Sequence, residues 1–341
     1  MTNINDILET IQNFCDKDNL QLSFIIRKLK PNIKKSSKVI DKYNFYAYHT
    51  TIDDSIRDFL FELVQEQLSR SLNKNFNLNE YDVISDDTEQ LFTYSMKNKG
   101  LSFASVMEQL INPNAPKIQS IEQLKKEGEI WAYSIGLYNS NDRNYIFSFR
   151  KILPNKVAID EKGSPNKPKL SFLRTHFNNK SQKLEILEGE TISLDKQIDC
   201  IFFNEIFYIF KKNYFEQIVG LGEEYKKKAL NIADTLKTNE HIEGLDILIL
   251  DKMIEDKPSI HKKLIKIKEQ YKNMTSNDMK KLITVSKKYK LNLKMSNNKL
   301  IISNEKDAEN LIKVLADYFK IGDMSGIAYG TYAGKQIKTE L

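Results

Sequence analysis

The sequence predicts an α+β protein in two parts: an N-terminal mixed α/β domain, then an antiparallel-sheet domain that ends in a basic helix-helix-hairpin-helix segment. Apolar residues recur at helical spacing in some stretches and alternate with polar residues in others. The 341 residues exceed the usual size of one domain. A break rich in turn residues occupies 112–117, and we therefore expect domains at 1–126 and 127–341.

The overall composition is that of a globular protein. It is 40% hydrophobic and 29% charged, which excludes wholesale disorder. The apolar runs are far shorter than the ~20 residues that cross a bilayer. No basic leader precedes an apolar stretch at the N-terminus, so we expect a cytoplasmic protein. The two cysteines, Cys15 and Cys200, are expected to be reduced and buried, with one disulfide as the alternative.

The first part mixes helical and strand patterns. Helical spacing over 4–14 is followed by a strand pattern over 20–29. A long helix is predicted after Thr51, whose hydroxyl would cap it. Its core face is predicted to contain Ile56, Leu60, Leu63 and Val64. A short helix from Ile121 would end at Gly128.

The middle of the chain has the clearest strand signals. Apolar residues alternate over 131–137 and again over 145–149, with polar turn residues between them. A second hairpin is predicted from 198–203 and 206–210, joined at Asn204–Glu205. Helices are expected over 214–218 and 223–236.

The last segment has a regular succession of patterns. A helix with Ile260, Leu264, Ile267 and Tyr271 on one face follows Pro258, and a second helix begins near Thr275. A hairpin over 291–302 turns at two asparagines, and a final helix covers 308–315. The order helix, helix, hairpin, helix is similar to that of winged-helix modules, although such a likeness does not establish function.

Two runs of the sequence resemble a known family. In the first, an apolar strand over 198–203 leads through Asn204–Glu205 into an aromatic strand over 206–210 and a helix with Phe215–Glu216. In the second, over 311–326, a leucine-containing helix is followed by Asp317–Tyr318 and Ser325–Gly326. Over about residues 130–335 the chain resembles the KwaB family of the bacterial Kiwa anti-phage system.

This resemblance implies a DNA-binding protein that acts against phage DNA with a small multi-pass membrane protein, at the inner face of the membrane. We also expect a homodimer or a higher homo-oligomer, for which the N-terminal domain is a candidate. No short family motif names the DNA-contacting residues. Site residues must therefore come from the physical pattern of the chain.

The positive charge is concentrated at the C-terminal end. The net charge is +6, and residues 256–341 alone carry 18 basic and 9 acidic residues. Such a block favours binding of a polyanion. The predicted DNA-binding residues are the lysines of the two helices and the following hairpin: Lys262, Lys263, Lys266, Lys280, Lys281, Lys287, Lys288, Lys290 and Lys294.

The second of these helices has the sharpest pattern. Lys280 and Lys287 are seven residues apart, as are Lys281 and Lys288, so they share one side of a helix about 10 Å apart along its axis. Lys290 and Lys294 are expected on one face of the next strand. Charge reversal at the four helix positions should lower DNA affinity and leave the melting temperature nearly unchanged. The alternative is a solvated lysine-rich surface without a partner.

Lysine presents a point charge, whereas arginine reads bases through a bidentate fork. The chain has 46 lysines and six arginines, and all six arginines precede residue 175. We therefore expect contacts to the DNA backbone with little sequence specificity.

Enzymatic alternatives have weaker support in the sequence. His49, His176, His241 and His261 lack metal-ligand spacing, so no metal or cofactor is expected. The nearest candidates for a metal-dependent nuclease are Asp199 with Glu205 and Lys211, and the residues Asp160, Glu161 and Lys162. The leading hypothesis is thus a non-enzymatic DNA-binding effector. A divalent-metal nuclease, or a scaffold whose lysines face an acidic partner or anionic lipid, are the alternatives.

Overall fold

The computed structural model describes residues 17–34, 42–73, 77–83, 90–96, 103–139, 144–153, 157–158, 175–178, 183–186, 191–245, 247–267, 271, 274–322 and 324–332. The chain forms two compact units. Among the described residues, unit 1 comprises those within 17–34, 42–80 and 90–219, and unit 2 comprises 81–83 and those within 220–332. The helical pattern predicted over 4–14, Cys15, and the nuclease candidates Asp160, Glu161 and Lys162 lie outside the described residues.

Unit 1 is built on a mixed nine-stranded sheet, which confirms the α+β class. The strands up to residue 192 are β1 Leu20–Leu29, β2 Tyr43–Thr50, β3 Asn77–Glu80, β4 Gln90–Ser95, β5 Lys117–Ile118, β6 Glu129–Asn139, β7 Asn144–Lys151, β8 Val157–Ala158, β9 Thr175–Asn178, β10 Lys183–Ile186 and β11 Thr191–Ile192. After them come β12 Cys200–Phe203 and β13 Ile206–Ile209. The sheet order is β3-β4-β13-β12-β7-β6-β1-β2-β5, and β9–β10 and β8–β11 form separate pairs.

The predicted strands and hairpins of unit 1 are confirmed. The strand predicted over 20–29 is β1, and the two predicted hairpins are β6–β7 and β12–β13. Asn204 and Glu205 both have positive φ, 48° and 61°, as a two-residue hairpin turn that follows the twist of its strands requires. Asparagine tolerates this conformation better than most residues, which explains why the turn could be predicted.

Helices cover both faces of the sheet. They are α1 Asp54–Asn73, α2 Ala104–Ile111, α3 Ile121–Glu127 and α4 Lys212–Ile218. Leu60, Val64 and Leu68 of α1 pack against alternate residues of β1 and β6. On another part of the sheet, aromatic rings pack edge to face, with Phe103 at the start of α2 lying 5.6 Å from Phe149 between ring centroids.

Two details of the α1 prediction were wrong. Asp53, rather than Thr51, caps the helix, because its carboxylate accepts hydrogen bonds from the Ile56 amide and the Ser55 hydroxyl. Ile56, assigned to the core face, lies in the first turn of the helix and is 37% exposed. Leu60, Leu63 and Val64 are buried as predicted.

The N-terminal strands and the middle strands share one sheet. β1 pairs with β6 in antiparallel register, with Phe24 opposite Tyr133. The boundary predicted at 126/127 lies inside unit 1, at the end of α3, and the chain passes into unit 2 at 219/220. Gly128 ends α3 with φ 155°, where a Cβ atom would lie 2.8 Å from the Arg27 carbonyl oxygen.

Unit 2 is mainly helical. Its elements are α5 Leu221–Lys237, β14 Ile242–Glu243, a π-helical turn Ile247–Asp251, α6 Lys252–Asp256, α7 Ser259–Ile265, α8 Ser276–Lys288, β15 Lys294–Ser296, β16 Lys299–Ile301, α9 Glu305–Leu315, β17 Phe319–Ile321 and β18 Ala328–Gly330. β16 pairs with β14 and with β15, and β17 pairs with β18. Leu236, Leu264, Leu282, Leu300 and Leu311 belong to one buried cluster that joins these elements.

Two elements of unit 2 are shorter than predicted. The helix after Pro258 ends at Ile265, so Tyr271 is not on it. The strand expected from 291 begins at Lys294, because Lys290 and Asn292 adopt the left-handed conformation and break the extended backbone. Among the helices in the described ranges, none is both long and apolar enough to cross a bilayer.

Candidate nucleic-acid interface

Helix α8 has a well-defined start. The Thr275 hydroxyl accepts a hydrogen bond from the Asp278 amide, and the Asp278 carboxylate accepts one from the Thr275 amide. This reciprocal capping satisfies two backbone donors that a helix N-terminus otherwise leaves unpaired. The Thr275 hydroxyl also donates to the Asp278 carboxylate and lowers the pKa of Asp278. The predicted helix start is confirmed.

The two faces of α8 have opposite character. Met279, Leu282 and Ser286 are buried against the core of unit 2. The four lysines predicted to share the other side, Lys280, Lys281, Lys287 and Lys288, are all exposed. The Ser286 hydroxyl accepts a hydrogen bond from the Leu293 amide at 3.2 Å, which ties the segment after the helix to α8. The lysine row therefore lies on the exposed side of a helix whose orientation is set by its packing against the core of unit 2.

These lysines carry little local compensation. Lys281 lies 3.8 Å from the Asp278 carboxylate across one helical turn, an exposed contact of small energy. In the part of the chain that the structure describes, no carboxylate lies within 4 Å of the ammonium groups of Lys280, Lys287 or Lys288. Like charges on one side of a helix repel one another, and a bound polyanion would relieve this repulsion.

Lys290 and Lys294 lie beyond the helix but do not share a strand face as predicted. Lys290 is in the turn after α8 with φ 53°, whereas Lys294 opens β15. Both are exposed. Sequence reasoning missed Lys299, which lies opposite Ser296 in the hairpin register and so projects from the same face as Lys294. The period-two pattern across the Asn297–Asn298 turn was the signal that could have found it.

The three lysines at the end of α7 are in a different situation. All are half-buried. Lys266 forms an ion pair with Asp82 at 2.7 Å, so a residue far away in the sequence already neutralises it. The ammonium groups of Lys262 and Lys263 lie 5.6 and 5.3 Å from the ring centroids of Tyr225 and Tyr332. Of the nine predicted residues, the six from Lys280 to Lys294 form the exposed group.

The nearby acidic residues of unit 2 are engaged elsewhere. Lys257 donates to both Glu305 and Glu309, at 2.9 and 3.0 Å, and its ammonium lowers the pKa of Glu305. Asp307 accepts hydrogen bonds from the Ser303 amide and the Asn304 side chain at the start of α9. These three carboxylates serve contacts within unit 2, and none of them lies within 4 Å of an α8 lysine ammonium.

The candidate nuclease residue Asp199 is held by hydrogen bonds within the sheet. Its carboxylate accepts hydrogen bonds from Arg150 at 2.5 Å and from the Lys151 amide at 2.7 Å, and the residue is fully buried. Burial raises the pKa of Asp199 to about 6. Glu205 lies in the turn at the other end of β12, about 13 Å further along a four-residue strand. The structure does not bring Asp199 and Glu205 together.

Other titratable groups are held by internal bonds. The His49 ring lies 2.7 Å from the Ser23 hydroxyl and 3.1 Å from the Asn112 carbonyl, and the His261 ring lies 2.6 Å from the Ile254 carbonyl. Cys200 is a buried free thiol, and burial raises its pKa. Within the described ranges, no three residues of the His, Cys, Asp and Glu types are grouped as metal ligands.

Comparison with known proteins identifies one family. The model of the family described as "Kiwa protein KwaB-like" matches residues 127–324, more than half of the chain. No curated protein and no solved structure matches the chain. The matched range contains the β12–β13 hairpin and the C-terminal run up to residue 324, and the resemblance based on these two runs is confirmed. The chain belongs to the KwaB-like family of the Kiwa anti-phage defence system.

Proposed function

We propose that this chain is a non-enzymatic DNA-binding effector of anti-phage defence. The observation that carries the proposal is the row of exposed lysines on α8, which lacks carboxylate partners among the described residues apart from the exposed contact of Lys281 with Asp278. Each phosphate neutralised by a lysine releases condensed counterions, and this release supplies most of non-specific DNA affinity. Lys290, Lys294 and Lys299 extend the charged surface beyond the helix.

The contacts in this proposal are to the DNA backbone. The exposed group consists of lysines alone, because the arginines all precede residue 175. An ammonium group neutralises a phosphate well but does not distinguish bases as a guanidinium fork does. Binding of duplexes with unrelated sequences should therefore differ little in affinity.

Membership of a Kiwa family supports the proposal that the chain works with a membrane-protein partner. We propose that the chain stays in the cytoplasm until a small multi-pass membrane protein of the same system recruits it to the inner membrane face, and that it acts as a homodimer or higher homo-oligomer. Fractionation of cells with and without that membrane protein checks the first point. Recovery of the chain in the soluble fraction under both conditions would contradict recruitment.

The first test uses plasmid DNA, because it separates binding from cleavage. The purified protein is incubated with supercoiled plasmid and Mg²⁺ or Mn²⁺, and the products are resolved before and after removal of the protein. We expect a mobility shift that disappears on deproteinisation and leaves intact supercoiled DNA. Nicked or linear products would support the metal-dependent nuclease instead.

A gel shift with short duplex DNA distinguishes the scaffold alternative. A protein whose lysines face only an acidic protein or lipid surface gives no shift at any salt concentration. We expect a shift at low salt that weakens steeply as the salt concentration rises.

A further inference from the structure

The β17–β18 hairpin, residues 319–330, exposes more large apolar side chains than any other segment of comparable length in the described ranges. Eight large hydrophobic residues are exposed in the described ranges, and four of these eight lie between 321 and 329. The exposed fractions are 46% for Ile321, essentially all of Met324, 57% for Ile327 and 51% for Tyr329. Clusters of this kind in soluble domains commonly mark a contact surface.

The hairpin holds these side chains outward by its own hydrogen bonds. The Gly322 amide donates to the Ile327 carbonyl at 3.0 Å, and the Gly326 amide donates to the Gly322 carbonyl at 2.8 Å. At the other end, the Thr331 amide donates to the Tyr318 carbonyl at 2.9 Å. Met324 and Ile327 are therefore presented at a closed tip.

The base of the hairpin is attached to the end of the lysine helix. The Phe319 ring stacks on Tyr289, with centroids 4.2 Å apart and planes 11° apart. Tyr289 is the C-terminal cap of α8 and directly follows Lys287 and Lys288. On the hairpin, the exposed Lys320 lies opposite Tyr329. A linear polyanion that follows the lysine row thus reaches the hairpin, whose sequence also contains one acid, Asp323.

We propose that the hairpin enters the minor groove of a DNA duplex held by α8 and inserts Met324 or Ile327 between base pairs. The inference rests on the proposed function. Proteins that bend DNA use the same elements: a basic surface on the phosphates and an aliphatic wedge that partly unstacks one base step. The two short strands and their tip give an arm of about 10 Å, which suits a groove about 7.5 Å deep.

The duplex is favoured over other occupants by the placement of charge. The lysines form a row about 10 Å long from Lys280 to Lys287, which matches a linear phosphate chain. An anionic lipid surface or a second copy of the chain could also cover the apolar tip, and these occupants are outcomes of the test.

The experiment measures DNA bending by energy transfer between dyes at the two ends of a duplex of about 30 base pairs. We expect the wild-type protein to bring the ends closer. With the variant Met324→Ser/Ile327→Ser, the efficiency of energy transfer should equal that of free DNA, and binding should be about tenfold weaker. Its salt dependence should be unchanged because the phosphate contacts remain. Ile111→Ser, at a residue of unit 1 that is 38% exposed, is the matched control and should behave as wild type.

The outcomes separate the two proposals. If the wild-type protein does not bind the duplex, the proposed function fails. If it binds without bending, or if the double variant bends DNA as wild type does, the wedge is contradicted while the proposed function stands. Loss of binding to phosphatidylserine-containing vesicles, or loss of self-association in light scattering, with bending unchanged would assign the tip to a membrane or to a second copy.

Discussion

Lys151 illustrates how much a single buried residue constrains unit 1. It is only 4% exposed, and its ammonium donates to the carbonyls of Trp131 and Ile152 at 2.9 and 2.7 Å. The ammonium also lies 3.6 Å from the Trp131 ring centroid. Burial lowers the pKa of Lys151 to about 8, because the charged form is removed from water. A lysine of lowered pKa can act in catalysis, but this one is directed at backbone carbonyls.

The lowered pKa predicts a pH-dependent stability. In the unfolded chain a lysine titrates near 10.4, so between about pH 8 and 10 the unfolded state binds a proton that the folded state lacks. The contribution of Lys151 to the free energy of unfolding therefore rises with pH over this range. Urea unfolding of wild type and Lys151→Met should give a stability difference that moves in favour of wild type as the pH rises.

The comparison must be between variants, because other groups titrate in the same range. Because the pKa of the buried Cys200 thiol is raised, its contribution to the free energy of unfolding falls above about pH 8.5. This change opposes the effect of Lys151. Lys125→Met, at an exposed position, is the control and should leave the pH profile unchanged. A constant difference between wild type and Lys151→Met from pH 7 to 10 would contradict the prediction.

The shared side of the α8 lysines could be predicted from the sequence, whereas the contacts of the α7 lysines could not. Seven-residue spacing on a helix determines a shared side, so the grouping of Lys280 with Lys287 follows from helix geometry alone. The pairing of Lys266 with Asp82 could not be predicted, because the two residues are separated by 184 positions and meet only in the folded chain.

Among the secondary-structure elements, α8 depends on its N-terminal cap. Because the capping box satisfies backbone donors at the helix start, its removal should cost stability. Thr275→Ala should lower the free energy of unfolding of unit 2 by about 1 kcal/mol. Urea unfolding checks this value. Ser276→Ala, one position further at an exposed site, is the control and should change stability by only a few tenths of a kcal/mol. Equal effects of the two substitutions would show that the cap does not stabilise the helix.

Elements with strong local signals were predicted closely, and short ones were not. The strand β1 and both hairpins of unit 1 have alternating apolar residues or turn residues with positive φ, which are properties of the local sequence. The β17–β18 hairpin has strands of three residues and several glycines, so a turn and a strand could be expected after α9, but not their pairing. Helix α7 ends early, although the apolar spacing continues to Ile267 and Tyr271.

For the whole molecule, the sequence predicted the class and the charge distribution but not the sheet. β4 pairs with β13, with Tyr94 opposite Phe207, and β1 pairs with β6. These pairings join segments on both sides of residue 126, and local periodicity contains no information about which distant strands are neighbours. The positive charge of the C-terminal block can be counted from the sequence, whereas the exposure of each ammonium group is known only from the structure.

The salt dependence of duplex binding is the direct measure of whether the α8 lysines contact DNA phosphates. Affinities of wild type and of Lys280→Gln/Lys281→Gln/Lys287→Gln/Lys288→Gln are measured by fluorescence anisotropy over a salt series. The control replaces four exposed lysines of unit 1, Lys28, Lys117, Lys125 and Lys126, by glutamine. We predict that the α8 variant binds more weakly, melts at nearly the same temperature, and loses about 3–4 units of the slope of log affinity against log salt. A slope and affinity equal to those of wild type would contradict the assignment of DNA binding to α8.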